Sequence, residues 1–116
     1  MLPKTNRLKK KKDIDSVFKK GKATREELFN LRWALNGLKQ SRFAVVISKK
    51  ISKKAVTRNK IRRIIAGAIQ EKLPEIKKNV DAVLLTFSGV EKKDAGEIKK
   101  TLDAIFKKTK ITENLK

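Results

Sequence analysis

Residues 28–70 contain eleven Lys and Arg and not one Asp or Glu. A segment of that kind cannot neutralise its own charge. Any compact fold must send its cations outward on one side and its apolar residues inward on another. Solvated helix faces normally mix both signs, because opposite charges three or four residues apart support each other. The pattern inside the segment says how the division is made. Residues 42–48 are apolar on both faces of an extended chain, as a central strand would be. From residue 55 the period becomes helical, running to residue 73 and stopped before Pro74. Ile61, Ile64, Ile65, Ala68 and Ile69 make its apolar stripe at i, i+3, i+4, i+7 and i+8. Asn59, Lys60, Arg62 and Arg63 fan across the remaining arc, with Arg58 at the border of the stripe. Ala66 and Gly67 fall on the polar side, where small side chains would let a backbone come close.

The flanking segments supply the rest of a core. Residues 13–21 read as a short helix with Ile14, Val17 and Phe18 on one face and Gly21 as its stop. Residues 28–35 alternate Phe29, Leu31, Trp33 and Leu35 against Asn30, Arg32 and Ala34, a half-buried strand. Asn36-Gly37 invites a hairpin into residues 42–48. Residues 80–87 form another strand that is apolar on both faces, ended by Ser88-Gly89. Residues 94–108 form a last helix that buries Ile98, Leu102, Ile105 and Phe106. Helix, two or three strands, helix, strand and helix give an α/β (α+β) sandwich of helices on a small sheet. One domain spans residues 1–116. Residues 1–12 are a basic arm with Leu2 and Leu8 its only core candidates, either a solvated tail or an arm that orders on RNA. Residues 109–116 are a frayed tail with little to bury.

Composition narrows the chemistry. The formal charge is +20 and the pI near 10.5, above the level that suggests nucleic-acid binding. There is no Cys and no His, which removes disulfides, thiolate zinc sites and imidazole catalysis. No apolar run approaches a membrane span, so a soluble cytoplasmic protein is expected, with no membrane partner. The helix face carries Arg forks suited to phosphate and an Asn suited to sugar or base edges. Lys49, Lys50, Lys53 and Lys54 fill the loop leading into its N-terminus, which itself favours anions. The spacing of Ile14 and Phe18 fits core packing or a groove for bases, and by itself favours the core; Trp33 also reads as core. Asp13 and Asp15 read as caps or dipole complements before they read as metal ligands. A helix-turn-helix is excluded because the basic helix is flanked by strands. RNA rather than DNA is the expected partner, although no RNP1-type aromatic run is present.

Asn6-Arg-Leu-Lys-Lys10, Val17-Phe-Lys-Lys-Gly21, Arg42-Phe-Ala-Val-Val-Ile-Ser-Lys-Lys50 and Ala55-Val-Thr-Arg-Asn-Lys-Ile-Arg-Arg63 resemble the protein component of bacterial ribonuclease P in order and spacing. The resemblance covers nearly the whole chain. It implies a ribosomal-protein-like fold on a mostly antiparallel sheet with a left-handed βαβ crossover. It implies an endoribonuclease subunit that helps a catalytic RNA remove the 5′ leader of precursor tRNA. The RNA, with Mg²⁺ bound mainly by it, would do the hydrolysis, and no catalytic or metal-binding residue is assigned to the protein, whose own metal sites the sequence leaves open. Arg58, Asn59, Lys60, Arg62 and Arg63 would dock the catalytic RNA, assisted by Lys49, Lys50, Lys53 and Lys54. Ile14 and Phe18 would line a cleft for the single-stranded leader, reversing the core reading of Phe18. Ile14 stands where the family often has Phe, Ser52-Lys-Lys54 replaces a Gly-Asn-type loop, and Tyr is absent. A ribosomal or ribosome-assembly RNA-binding protein is the alternative on charge alone. A protein-only nuclease built on Asp13 and Asp15 is a more distant one.

Overall fold

A computed structural model describes residues 4–38, 40–47, 50–51, 53–76 and 79–109. Its elements are helix α1 (Lys11–Lys20), strands β1 (Lys22–Glu26), β2 (Phe29–Leu35) and β3 (Arg42–Ile47), helix α2 (Ala55–Lys72), strand β4 (Val80–Thr86) and helix α3 (Ala95–Thr109). The sheet order is β1-β2-β4-β3. The β1/β2 and β2/β4 pairs are antiparallel and β3/β4 is parallel, so β3-α2-β4 is a βαβ unit.

Two expectations about pairing give way here. The Asn36-Gly37 turn does not close a hairpin, because β4 lies between β2 and β3. Asn36 instead anchors the turn to β4: its backbone N–H donates to Asn79 O and its side-chain amide to Asp81 Oδ1 at 2.7 Å. The hairpin is β1–β2, with Glu27 at φ 48° in the turn. The second correction concerns residues 42–48, where β3 is an edge strand and Val46 is 42% exposed. The central position belongs to β4, whose Ala82, Val83 and Leu84 are fully buried. Part of the β3 edge is covered by the N-terminal arm. Arg7 bridges Phe43 in parallel register, Leu8 N–H donates to Phe43 O at 2.8 Å, and Asn6 Nδ2 donates to Ser41 O. Residues 6–8 are therefore packed, with Leu8 buried, and are not a solvated tail. Residues 1–3 and 110–116 lie outside the described residues. Thr109, placed by sequence in the frayed tail, is buried as the last residue of α3.

The two sheet faces are covered unequally. Phe29, Leu31, Phe43, Ala82 and Leu84 point to the face where α2 and α3 pack, and Ile61, Ile65, Ile69, Leu102 and Phe106 meet them there. Trp33 is half-buried against this core. Asp94 caps α3, accepting from Glu97 N–H at 2.8 Å, while Glu97 Oε1 accepts from Asp94 N–H at 3.5 Å. On the opposite face lies α1 alone, seated by Val17 on Leu8 and Val83, with Ile14, Ala44 and Leu85 at the margin.

Cross-strand register divides this second face into three rungs, since paired residues share a face. Ala34, Asp81 and Arg42 form the first; Arg32, Val83 and Ala44 the second, under α1; Asn30, Leu85 and Val46 the third. Gly21 ends α1 at an extended φ of −79°, so no left-handed turn requires it. Its role is clearance: a Cβ there would lie 2.3 Å from Val17 O and 2.7 Å from Trp33 O. Among the described residues no helix is long and apolar enough to cross a membrane.

Candidate RNA-binding surface

The exposed side of α2 carries the charge that the sequence placed there. Asn59, Lys60 and Arg63 are exposed, and Arg58 and Arg62 half-buried. Arg62 Nη1 donates to Asn59 Oδ1 at 2.9 Å, which orients the guanidinium along the helix face. Lys60, Arg62 and Arg63 make no ion pair among the described residues; the pairs recorded there fall on Arg42, Lys72, Lys93, Lys99 and Lys108. The helix has no acid in its first turn and no side-chain cap. The positive dipole end of α2 thus lies beside the exposed Lys50, Lys53 and Lys54, a setting that favours anions. Lys49 lies outside the described residues. Ala66, expected on the polar side, is buried, because it shares a groove with Arg7, Leu8 and Lys9 of the arm.

That groove is a cleft of about 330 Å³ lined by Ile14, Ala44, Val46 and Ala66, with Arg7, Lys9 and Arg62 among its charged residues. Its lining is mostly apolar, with cations around it. Ile14 therefore sits in a cleft between α1, the sheet edge and α2. Phe18, one turn further along the same flank of α1, is 37% exposed and was no core residue. Arg32 stacks on its ring, with the guanidinium carbon 5.0 Å from the centroid. Arg25 stacks in the same way on Phe87 at 4.8 Å. These two pairs border the third rung, the part of the sheet that α1 leaves open. Asn30 Oδ1 on that rung and Arg32 Nε on the neighbouring one are buried without a hydrogen-bond partner among the described residues. The sequence placed Arg32 and Phe87 only within their strands and gave no role at this surface to Arg25, Arg32 or Phe87. The available signal was the alternation in β2, which puts Asn30 and Arg32 on the face opposite Phe29 and Leu31.

The other flank of α1 borders a second open cleft, of about 510 Å³, with Asp13, Ser16, Lys20, Lys22, Arg42 and Asp81 in its lining. At its floor Arg42 donates to both oxygens of Asp81, at 2.8 and 2.6 Å, and to Asp13 Oδ2 at 3.3 Å. The Asp81 hydrogen bond raises the guanidinium pKa above its ordinary value, desolvation opposes it, and Asp13 adds to the rise. With Arg42 beside it, Asp13 is a poor ligand for a cation. No group of three or more His, Cys, Asp or Glu that could hold a metal ion occurs among the described residues.

A family model described as Ribonuclease P matches residues 2–110. A ribonuclease P protein component from Synechocystis is 40% identical over 87 residues, covering 72% of this chain and 68% of the relative. One from Bacillus velezensis is 36% identical over 112 residues, covering 95% of this chain and 94% of the relative. The solved structure of the Staphylococcus aureus RNase P protein matches with a TM-score of 0.86 at 25% identity, covering 93% of this chain and 98% of that one.

Proposed function

The chain belongs to the ribonuclease P protein family, and from that membership we propose how its surface divides the work of a tRNA-processing ribonucleoprotein. Membership makes it the protein component of an endoribonuclease complex and displaces the ribosome-assembly alternative. The exposed side of α2, with Arg58, Asn59, Lys60, Arg62 and Arg63, docks the RNA subunit. Lys49, Lys50, Lys53 and Lys54 add phosphate contacts beside it. The cleft flanked by Ile14 and Phe18 takes the single-stranded 5′ leader of precursor tRNA. One observation carries this division: Arg62 lies on the basic face of α2 and also lines the cleft beside Ile14. A strand leaving the RNA subunit along α2 would thus pass into the cleft without crossing an acidic surface.

Beside the cleft, one turn along α1 from Ile14, Phe18 offers a ring face for a base, with Arg32 stacked on its ring. Asn30 Oδ1 on the third rung and Arg32 Nε on the second lie buried beside this site without a hydrogen-bond partner among the described residues. The Mg²⁺ that supports hydrolysis is assigned in this reading to the partner RNA, and no step is routed through the protein.

The test is reconstitution with a bacterial ribonuclease P RNA. The protein is expected to raise precursor cleavage at low Mg²⁺ and low salt, with the gain shrinking as either rises, since phosphate neutralisation releases counterions. No gain at low Mg²⁺ refutes the reading. Arg62→Ala and Arg63→Ala are expected to weaken assembly with the RNA, whereas Phe18→Ala mainly weakens precursor binding by about 1–3 kcal/mol, the worth of one stacked base. Equal effects of all three on both measurements would contradict the division of the surface.

A further inference from the structure

Helix α1 forms one wall of the leader cleft and meets the sheet from Ile14 onward, through Ile14 and Val17, the Phe18–Arg32 stack and the close approach of Gly21 to Trp33 O. Val17 is its one buried side chain, and its N-terminus has no side-chain cap. Ahead of Ile14 the tie to the sheet is polar and lies on the flank away from the cleft. Arg42 is a rigid post: two hydrogen bonds lock its fork to Asp81, which is 6% exposed and also receives the Asn36 amide. The third bond from that fork reaches up to Asp13 in the first turn of α1. Asp13 precedes Ile14 in sequence but projects to the opposite flank, at 100° per residue. A pull on Asp13 therefore fixes the roll of the helix about Val17, and with it the height of Ile14 and Phe18 over the open rung.

We infer that Asp13, held by the Arg42–Asp81 post, is a positioning residue for leader recognition, setting the width of a cleft it does not line. This rests on the leader-binding role proposed for that cleft. Electrostatics and positioning make opposite forecasts for this residue. Removing an acid near a polyanion strengthens its binding by charge alone. Removing a tie that holds the cleft wall weakens it.

The experiment uses holoenzyme reconstituted with a bacterial ribonuclease P RNA. It compares affinity for a precursor carrying a leader of several nucleotides with affinity for mature tRNA. Asp13→Asn is set against Asp15→Asn, which removes the same charge from an exposed position on the same helix and gives the electrostatic baseline. Asp13→Asn is expected to reduce the precursor-over-mature preference roughly three- to tenfold relative to Asp15→Asn, the scale of losing one partly exposed charge-assisted bond. Assembly with the RNA should be unchanged, because α2 is untouched. Asp13→Glu, which keeps the charge with a longer reach, should restore most of the preference. The inference is overturned if Asp13→Asn matches Asp15→Asn, or if it lowers precursor and mature tRNA affinity equally. A wild-type holoenzyme with no leader-dependent preference would instead overturn the functional reading, and this inference with it.

Discussion

At the scale of single residues, the tightest constraint is at Gly21, where the end of α1 touches the backbone of β2. Because the two nearest atoms to an added Cβ are carbonyl oxygens, relief requires moving the main chain of one element. Gly21→Ala is expected to cost about 1–3 kcal/mol in chemical denaturation, as overpacking of a close contact does. A denaturation midpoint equal to wild type would show that α1 can lift without cost. Gly21 was legible in the sequence as a helix stop, but its reason was not, since clearance against Trp33 O involves a residue twelve positions away. Phe18 is a similar case. Its i, i+4 partnership with Ile14 is visible in one dimension. Whether that pair faces core or solvent depends on how many helices cover each sheet face, which spacing does not encode.

At the scale of elements, α2 keeps two jobs on one cylinder. Ile61, Ile65, Ala68 and Ile69 are buried on the sheet side, while Lys60 and Arg63 stand in solvent. Ile65→Ala should cost about 2–5 kcal/mol of stability, and Arg63→Ala should stay within about 0.5 kcal/mol. Denaturant titration of both variants checks the separation; a large loss from Arg63→Ala would mean the basic face is also structural. Helices of one apolar stripe were readable to within about two residues, because their pattern is local. The strands were readable as strands but not as neighbours. Both β3 and β4 are apolar on two faces, and only pairing between distant segments decides which is central. The sequence left room for a third strand before α2 without placing it, since the Lys-Ala-Thr-Arg-Glu of β1 has no apolar alternation and pairs because the Glu27 turn folds it back on β2.

Across the whole molecule the acids are not dispersed. Glu26, Glu27, Glu71, Glu97 and Asp103 gather on or beside α3, where Lys99 meets Glu71, Lys72 meets Asp103, Lys108 meets Glu26 and Thr101 bonds Glu27. The α3 side is a mixed-sign solvated surface, and the α2 side is not. The net charge of the chain therefore overstates how much of it faces RNA. Arg62→Ala should lower the slope of log affinity against log salt by about 1, while Lys100→Gln and Lys107→Gln on α3 should leave it unchanged. Assembly titrations at several salt concentrations measure both. Equal slope changes would mean that RNA wraps the whole domain.

The bridge between Arg7 and Phe43 also bears on how copies of this chain treat one another. An edge strand presents donors and acceptors that can seed pairing with a second molecule, and β3 is apolar enough to make such pairing adhesive. Leu8 occupies the Phe43 carbonyl, and Arg7, Lys9 and Arg62 surround the stretch that stays open with like charge. The same arm that lines the cleft thereby makes β3 a poorer template for pairing with a second copy.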